Sequence, residues 1–130
     1  MWGIIQGVKM TLAQTATFVS LWRHCGLNDE DLRSLECQVM DNPLAGRVMR
    51  NTGGVRKVRF AAPSGSSGKS GAWRVCYLHI PRYKIVYFVL VFPKTEQANL
   101  TGDQQKMCRM LSRRISDKLS ATDSQENHNA

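Results

Sequence analysis

Apolar residues recur at helical spacing in three segments of the chain and crowd into strand-like runs in three others. Phe18, Leu21, Trp22 and Cys25 stand at i, i+3, i+4 and i+7, the buried stripe of an amphipathic helix. Thr15 or Thr17 can cap its start, and Gly26 suits its end. Asn28 opens a second helix, with Asp29, Glu30 and Asp31 at the positive end of its dipole. Leu32, Leu35, Val39 and Met40 form its stripe, and Asn42-Pro43 stops it. The two segments predict a helical hairpin.

A turn at Asn51-Thr52-Gly53-Gly54 leads into Val55 to Ala61, where apolar and basic residues alternate as in a half-buried strand. Pro63 to Gly71 is rich in Gly and Ser and reads as a mobile loop. Trp73 to Ile80 reads as a second strand and Pro81-Arg82-Tyr83 as a hairpin turn. Lys84 to Phe92 is apolar almost throughout, which predicts a central strand covered on both faces. Sequential strands with short links imply an antiparallel meander. Thr101 with Gln104 fits a capping box, opening a last helix whose stripe is Met107, Met110, Leu111 and Ile115. The expected class is therefore α+β: a helical hairpin, an antiparallel basic sheet and a C-terminal helix. One domain is expected over residues 1–118. Residues 1–10 form a possible edge strand or extension, and 119–130 a polar, disordered tail.

Charge changes this picture more than composition does. The net charge is +8 over 130 residues, but its placement matters more. Between Asp41 and Glu96 there is no acidic residue, while Arg47, Arg50, Arg56, Lys57, Arg59, Lys69, Arg74, Arg82, Lys84 and Lys94 all fall there. Like charges repel, so a sheet of one sign points to a polyanionic partner: nucleic acid first, an acidic protein second. The apolar run at Ile85 to Phe92 is too short to span a bilayer, and the first residues lack the pattern of a signal peptide. A cytoplasmic protein without membrane contact is expected.

Other chemistries find little support. Cys25, Cys37, Cys76 and Cys108 are scattered, so buried free thiols are expected and no metal site. Ser67-Gly68-Lys69-Ser70 resembles the end of a phosphate-binding loop, but Pro63 stands where its first Gly belongs and a strand follows where a helix is needed. A loop presenting Lys69 to a phosphate is the better reading. His24 ends a helix, His128 lies in the tail, and His79 shares a strand face with Trp73, Val75 and Tyr77, where a partly buried structural role is expected. No His pairs with a nucleophile, and the sheet carries no paired carboxylates.

The sheet does offer cations at strand spacing. Lys57 and Arg59 project from one face, Arg74 lies on the next strand, and Lys94 sits just past the central one. Convergence of these four is costly unless an anion fills the centre, and a phosphodiester fits. Arg binds phosphate oxygens bidentately, while a Lys whose pKa falls among like charges can move a proton. RNA self-cleavage needs a deprotonated 2′-oxygen, a neutralised pentacoordinate phosphate and a protonated 5′-oxygen. The alternative is a basic sheet that only binds RNA or an acidic partner.

Three segments resemble HigB-like toxins of the RelE/ParE superfamily. These are Asn51-Thr52-Gly53-Gly54-Val55-Arg56-Lys57-Val58-Arg59-Phe60, then Gly65 to Gly71 with Trp73-Arg74-Val75-Cys76-Tyr77, then Phe92-Pro93-Lys94-Thr95-Glu96 with Leu100-Thr101 and the helix to Ile115. Asp41-Asn42-Pro43 before Gly46 also fits, and the similarity covers about residues 11 to 118. It implies a RelE-like fold and a toxin of a type II toxin–antitoxin system. The implied activity is a ribosome-dependent, metal-independent endoribonuclease that cuts mRNA in the ribosomal A site, uses no cofactor and is neutralised by an antitoxin from an adjacent gene. Carried over by position, Lys57, Arg59, Arg74 and Lys94 become the catalytic candidates, with Arg56, Lys69, Arg82 and Lys84 as RNA-binding candidates. Thr95 stands where many relatives carry Arg, Thr101 where they carry a catalytic Tyr, and Pro93 replaces the usual Gly. The competing readings are a ParE-like inhibitor of DNA gyrase, against which Lys57 and Lys94 count, and a relative that binds without catalysis.

Overall fold

The computed structural model describes residues 4–5, 8–65, 73–97 and 99–129. Thr15 is the residue that starts helix α1, Ala16–His24: its hydroxyl accepts from the Phe18 amide at 3.1 Å and donates to the Val89 carbonyl at 3.3 Å. One side chain thus caps the helix and ties it to the sheet. Helix α2, Asp29–Asp41, begins with reciprocal bonds between Asn28 and Asp31. Asp31 is fully buried, and it also accepts from the Ser64 amide and hydroxyl at 3.0 and 2.8 Å, which anchors the far end of a sheet strand to the hairpin. Burial pushes the Asp31 carboxyl up, but the bonds from Asn28 and Ser64 outweigh it and hold the pKa below its ordinary value.

The strands are β1 (Ile4–Ile5), β2 (Val8–Lys9), β3 (Thr11–Gln14), β4 (Arg47–Val48), β5 (Arg56–Phe60), β6 (Trp73–Ile80) and β7 (Ile85–Pro93). β1 and β2 pair only with each other; the main sheet runs β3-β7-β6-β5-β4. Strands β4 to β7 form the expected antiparallel array, with a 3-10 turn at Pro81–Tyr83 linking the last two. The sheet as a whole is mixed, because β3 lies parallel to β7. This corrects the expectation of a purely antiparallel sheet, and the edge strand β3 follows directly on residues 1–10. Only Leu12 and Ala13 of β3 are partly buried, too short an alternation to read as a strand.

β7 is buried on both faces, as its composition predicts. A bulge opposite Cys76 and Tyr77 inserts Val89 between Phe88 and Leu90 and changes which residues face which side. Val86 and Phe88 therefore join Phe18, Trp22, Leu35, Phe60, Trp73 and Tyr77 under the helical hairpin. Leu90 and Phe92 join Cys76, Leu78, Leu100, Cys108 and Ile115 under the last helix. Phe18 stacks on both Trp22 and Phe88, with ring centroids 5.3 and 5.4 Å apart.

Helix α3 spans Gly102–Asn129, opened by the expected box between Thr101 and Gln104. It runs through the segment whose polarity predicts a disordered tail. The physical reason lies in Asp123, which accepts from the Tyr83 hydroxyl and pairs with Arg82 at 3.0 Å, and in Leu119, which packs on the core. The buried stripe of α3 also differs from expectation: Cys108 is fully buried, while Met110 is 56% exposed. Among the cysteines, Cys76 and Cys108 are buried, Cys25 is half-buried and Cys37 is exposed, so burial holds for only part of the set. Near the start of β5, Thr52 is buried and accepts from the Val55 amide at 3.1 Å while donating to the Met49 carbonyl at 2.7 Å. Gly53, with φ +74°, lets this turn meet α3: a Cβ there would lie 2.8 Å from that of Ser112.

Candidate phosphate-binding face

Strand register assembles the cations in two rows. Arg59 stands directly opposite Arg74, which stands opposite Phe92. Two residues along, Arg47 faces Lys57, which faces Cys76 and then Leu90. Cross-strand partners have Cα atoms about 5 Å apart and share a sheet face. Arg47, Lys57, Arg59 and Arg74 therefore occupy one face, the face whose apolar part lies under α3.

Local structure fixes these side chains at their roots. β4 pairs only with Arg56 and Lys57, so the edge of β5 is open beyond them. The Gln38 side-chain amide fills it, donating to the Arg59 carbonyl at 2.8 Å. Arg74 donates to the Trp73 carbonyl at 3.1 Å. Its pKa lies below the ordinary arginine value, first through desolvation and second through the Arg59 charge. Like charges directly opposite on a sheet repel, and an anion between them would relieve that repulsion. Arg59 is exposed, and Lys57 and Arg74 are half-buried. Beside them on the same face Cys76, Leu90 and Phe92 are buried under α3, and a low-dielectric flank strengthens the field next to it. Burial, then the neighbouring Cys108, pushes the Cys76 thiol up to about 12, with Lys57 acting in the opposite direction. A thiol so held is no nucleophile at neutral pH.

The other expected site residues fall in different places. Lys94 follows the end of β7 by one residue and is exposed, beyond the row of Arg74 and Phe92. Arg56 lies on the opposite face, opposite Tyr77, and donates to the Gly46 carbonyl at 2.7 Å. It serves the same knot in which the Tyr77 hydroxyl donates to the Pro43 carbonyl at 2.7 Å and accepts from the Gly46 amide at 3.1 Å. A Cβ on Gly46 would stand 2.8 Å from that hydroxyl, so the knot needs glycine. Arg82 and Lys84 belong to the β6–β7 turn, about 20 Å along the strand from Arg74 at ordinary rise. Arg82 is engaged with Asp123 there, and Lys84 has φ 55°. Lys69 lies outside the described residues. His79 is half-buried and its pKa is lowered by burial and then by Arg56, as a structural histidine on the hairpin side.

Arg47 was legible only as one cation among ten, because the two-residue β4 that aims it has no periodicity to read. The Thr101 hydroxyl accepts from the Gln104 amide at 3.1 Å and so serves as a helix cap. Among the described residues, no three His, Cys, Asp or Glu side chains gather as metal ligands would. None of the described helices is long and apolar enough to cross a membrane.

No protein-family model matches the chain. Its structure is similar to that of a free-state double arginine mutant of the E. coli toxin RelE, with a TM-score of 0.47 and 18% sequence identity over 68% of this chain and 87% of that one.

Proposed function

We propose that this chain is the toxin of a type II toxin–antitoxin system and inhibits translation as a ribosome-dependent, metal-independent mRNA endoribonuclease of RelE-like fold. The observation that carries the reading is the pairing of Arg59 with Arg74, beside Lys57, in a sheet whose strands β3 to β7 carry no carboxylate. The sequence resemblance to HigB-like toxins over three segments supports it independently.

In this reading the scissile phosphodiester sits over Arg59 and Arg74. The 2′-oxygen attacks phosphorus, the pentacoordinate phosphorane gains negative charge, and the bond to the 5′-oxygen breaks. Arg59 and Arg74 hold the non-bridging oxygens, since charge developing in the transition state is where fixed donors act most strongly. Arginine stays protonated throughout, so proton exchange falls to Lys57, with Lys94 at the sheet end as its companion. Neither Thr95 nor Thr101 supplies a strong acid, which leaves the lysines to protonate the departing 5′-oxygen. The protein acts in the cytoplasm, and its antitoxin brings acidic side chains to the cationic face.

The test is translation in vitro with primer-extension mapping of the mRNA. Discrete cuts on ribosome-bound message are expected, and they should persist when EDTA is added to ribosomes held intact by polyamines. Uncut mRNA with folded protein present would reject the enzymatic reading, and stalled gyrase turnover in a parallel assay would favour a ParE-like inhibitor.

A further inference from the structure

Helix α3 is held by two sets of contacts that differ in kind. Its first half docks on the sheet through Met107, Cys108, Leu111 and Ile115. The Arg109 guanidinium and the Ser112 hydroxyl add bonds to the carbonyls of Asn51 and Gly53, at 2.8 and 2.7 Å. Past Ile115 the contacts thin out. Leu119 packs on the same core, while residues 116–118 and 120–122 are exposed. Thr122 turns its hydroxyl back on the Lys118 carbonyl at 3.1 Å, a local bond that ties the helix to no neighbour. Asp123 ends this stretch. Its carboxylate accepts from the Tyr83 hydroxyl and pairs with Arg82 at 3.0 Å, and the Arg82 guanidinium lies 5.4 Å from the centre of the Tyr83 ring.

The Arg82 side chain is 77% exposed and that of Asp123 27%, so water and salt screen the pair and it contributes little to stability. A short helical segment is not stable by itself in water. Residues 116–123 therefore depend on continuation from the docked half, on one leucine and on one exposed carboxylate. Proteins open locally where buried apolar contacts are few. We infer that residues 116–123 form a strap, hinged after Ile115, which opens as a unit while the docked half of α3 stays in place, and that Asp123 is its clasp. Shut, the strap keeps the Arg82 charge occupied. Open, it releases that guanidinium beside the exposed Lys84 and withdraws Leu119 from the core. The strap thus sets how much positive charge the β6–β7 turn presents. It stands apart from the ribonuclease reading, because this turn lies about 20 Å from Arg74 and no step of the proposed cleavage uses it.

Amide hydrogen exchange of the full chain, corrected for intrinsic rates, tests the strap. In the parent, the amides of residues 119–123 should share one rate, faster than that of residues 110–115. Asp123→Asn keeps the size and removes the charge, and should speed the strap amides about threefold, the scale of one exposed ion pair. Asp123→Ala also removes the acceptor of the Tyr83 bond and should speed them about tenfold. Arg82→Ala should match Asp123→Asn, and the double variant should go no further than either alone. Added salt should speed the strap in the parent and leave Asp123→Asn unmoved. Residues 110–115 should stay within about twofold of the parent throughout. Rates that climb residue by residue from Ile115 to Asp123 would mean simple fraying of a helix end, and additive effects would mean that Arg82 and Asp123 act separately. Either result overturns the strap, as does exchange of the docked half at the same rate as residues 119–123.

Discussion

Arg56 and Arg59 stand three residues apart on β5, on opposite faces of the sheet. Arg56 faces the helical hairpin side, where its guanidinium is bound to the Gly46 carbonyl and supports the loop that Tyr77 also holds. Arg59 stands exposed opposite Arg74, with its carbonyl held by Gln38 and its charge repelling that of Arg74. One face places its cation against a backbone acceptor; the other sets like charges together beside a buried apolar flank. The number of cations in a segment therefore says less than the face on which each one lands. Substitutions on the hairpin face should cost stability, and substitutions on the cationic face should cost chemistry.

The largest effect should come from the hairpin core. Phe18→Ala removes a fully buried ring that stacks on Trp22 and Phe88, and should destabilise the fold by about 3–5 kcal/mol, read by denaturant unfolding. A loss below 1 kcal/mol would mean that α1 contributes little to that face.

Asp31→Asn should cost about 1–3 kcal/mol, because an amide group would meet donors from Asn28 and Ser64 that now point at carboxylate oxygens. The same carboxylate sets a pH dependence. Its folded pKa is depressed, so its contribution is complete above the unfolded value near about 4 and is lost as pH falls through the lower folded value. Unfolding followed from pH 7 to acid should therefore show a stability loss that the Asp31→Asn variant lacks in part. Equal acid limbs in the two proteins would remove Asp31 from that role.

Arg56→Ala should cost about 1–1.5 kcal/mol by thermal unfolding, the worth of its hydrogen bond to Gly46. A silent substitution would mean that Arg56 resembles Arg59 after all and that the two faces are not distinct.

Much of this contrast can be read from the chain alone, and the limits have physical causes. The hairpin, β5 to β7 and the cap of α3 carry full periodic or capping patterns, so their positions emerge within a residue or two. The face shared by Lys57, Arg59 and Arg74 follows from strand spacing and an antiparallel link. By contrast, β3 and β4 are too short for periodicity, and their partners lie far away in sequence. With β4 hidden, Arg47 could not be placed next to Lys57. The bond of Arg56 was hidden for a related reason: alternation puts it on the face away from Lys57, but nothing local shows that the loop carbonyl of Gly46 waits there. The extension of α3 past Lys118 depends on Asp123 reaching Arg82 and Tyr83, a contact across about 40 residues that polar composition cannot foretell.

The proposed catalysis belongs to the cationic face. Single-turnover cleavage of ribosome-bound mRNA, measured for the parent chain and for Arg74→Ala and Arg56→Ala at a temperature where all three are folded, tests it most directly. Losing a transition-state donor costs about 2–4 kcal/mol, so Arg74→Ala should slow the cut by roughly two to three orders of magnitude, while Arg56→Ala stays within about tenfold of the parent. An Arg74→Ala protein that cuts at the parent rate, or an Arg56→Ala protein slowed as severely as Arg74→Ala, would contradict the account.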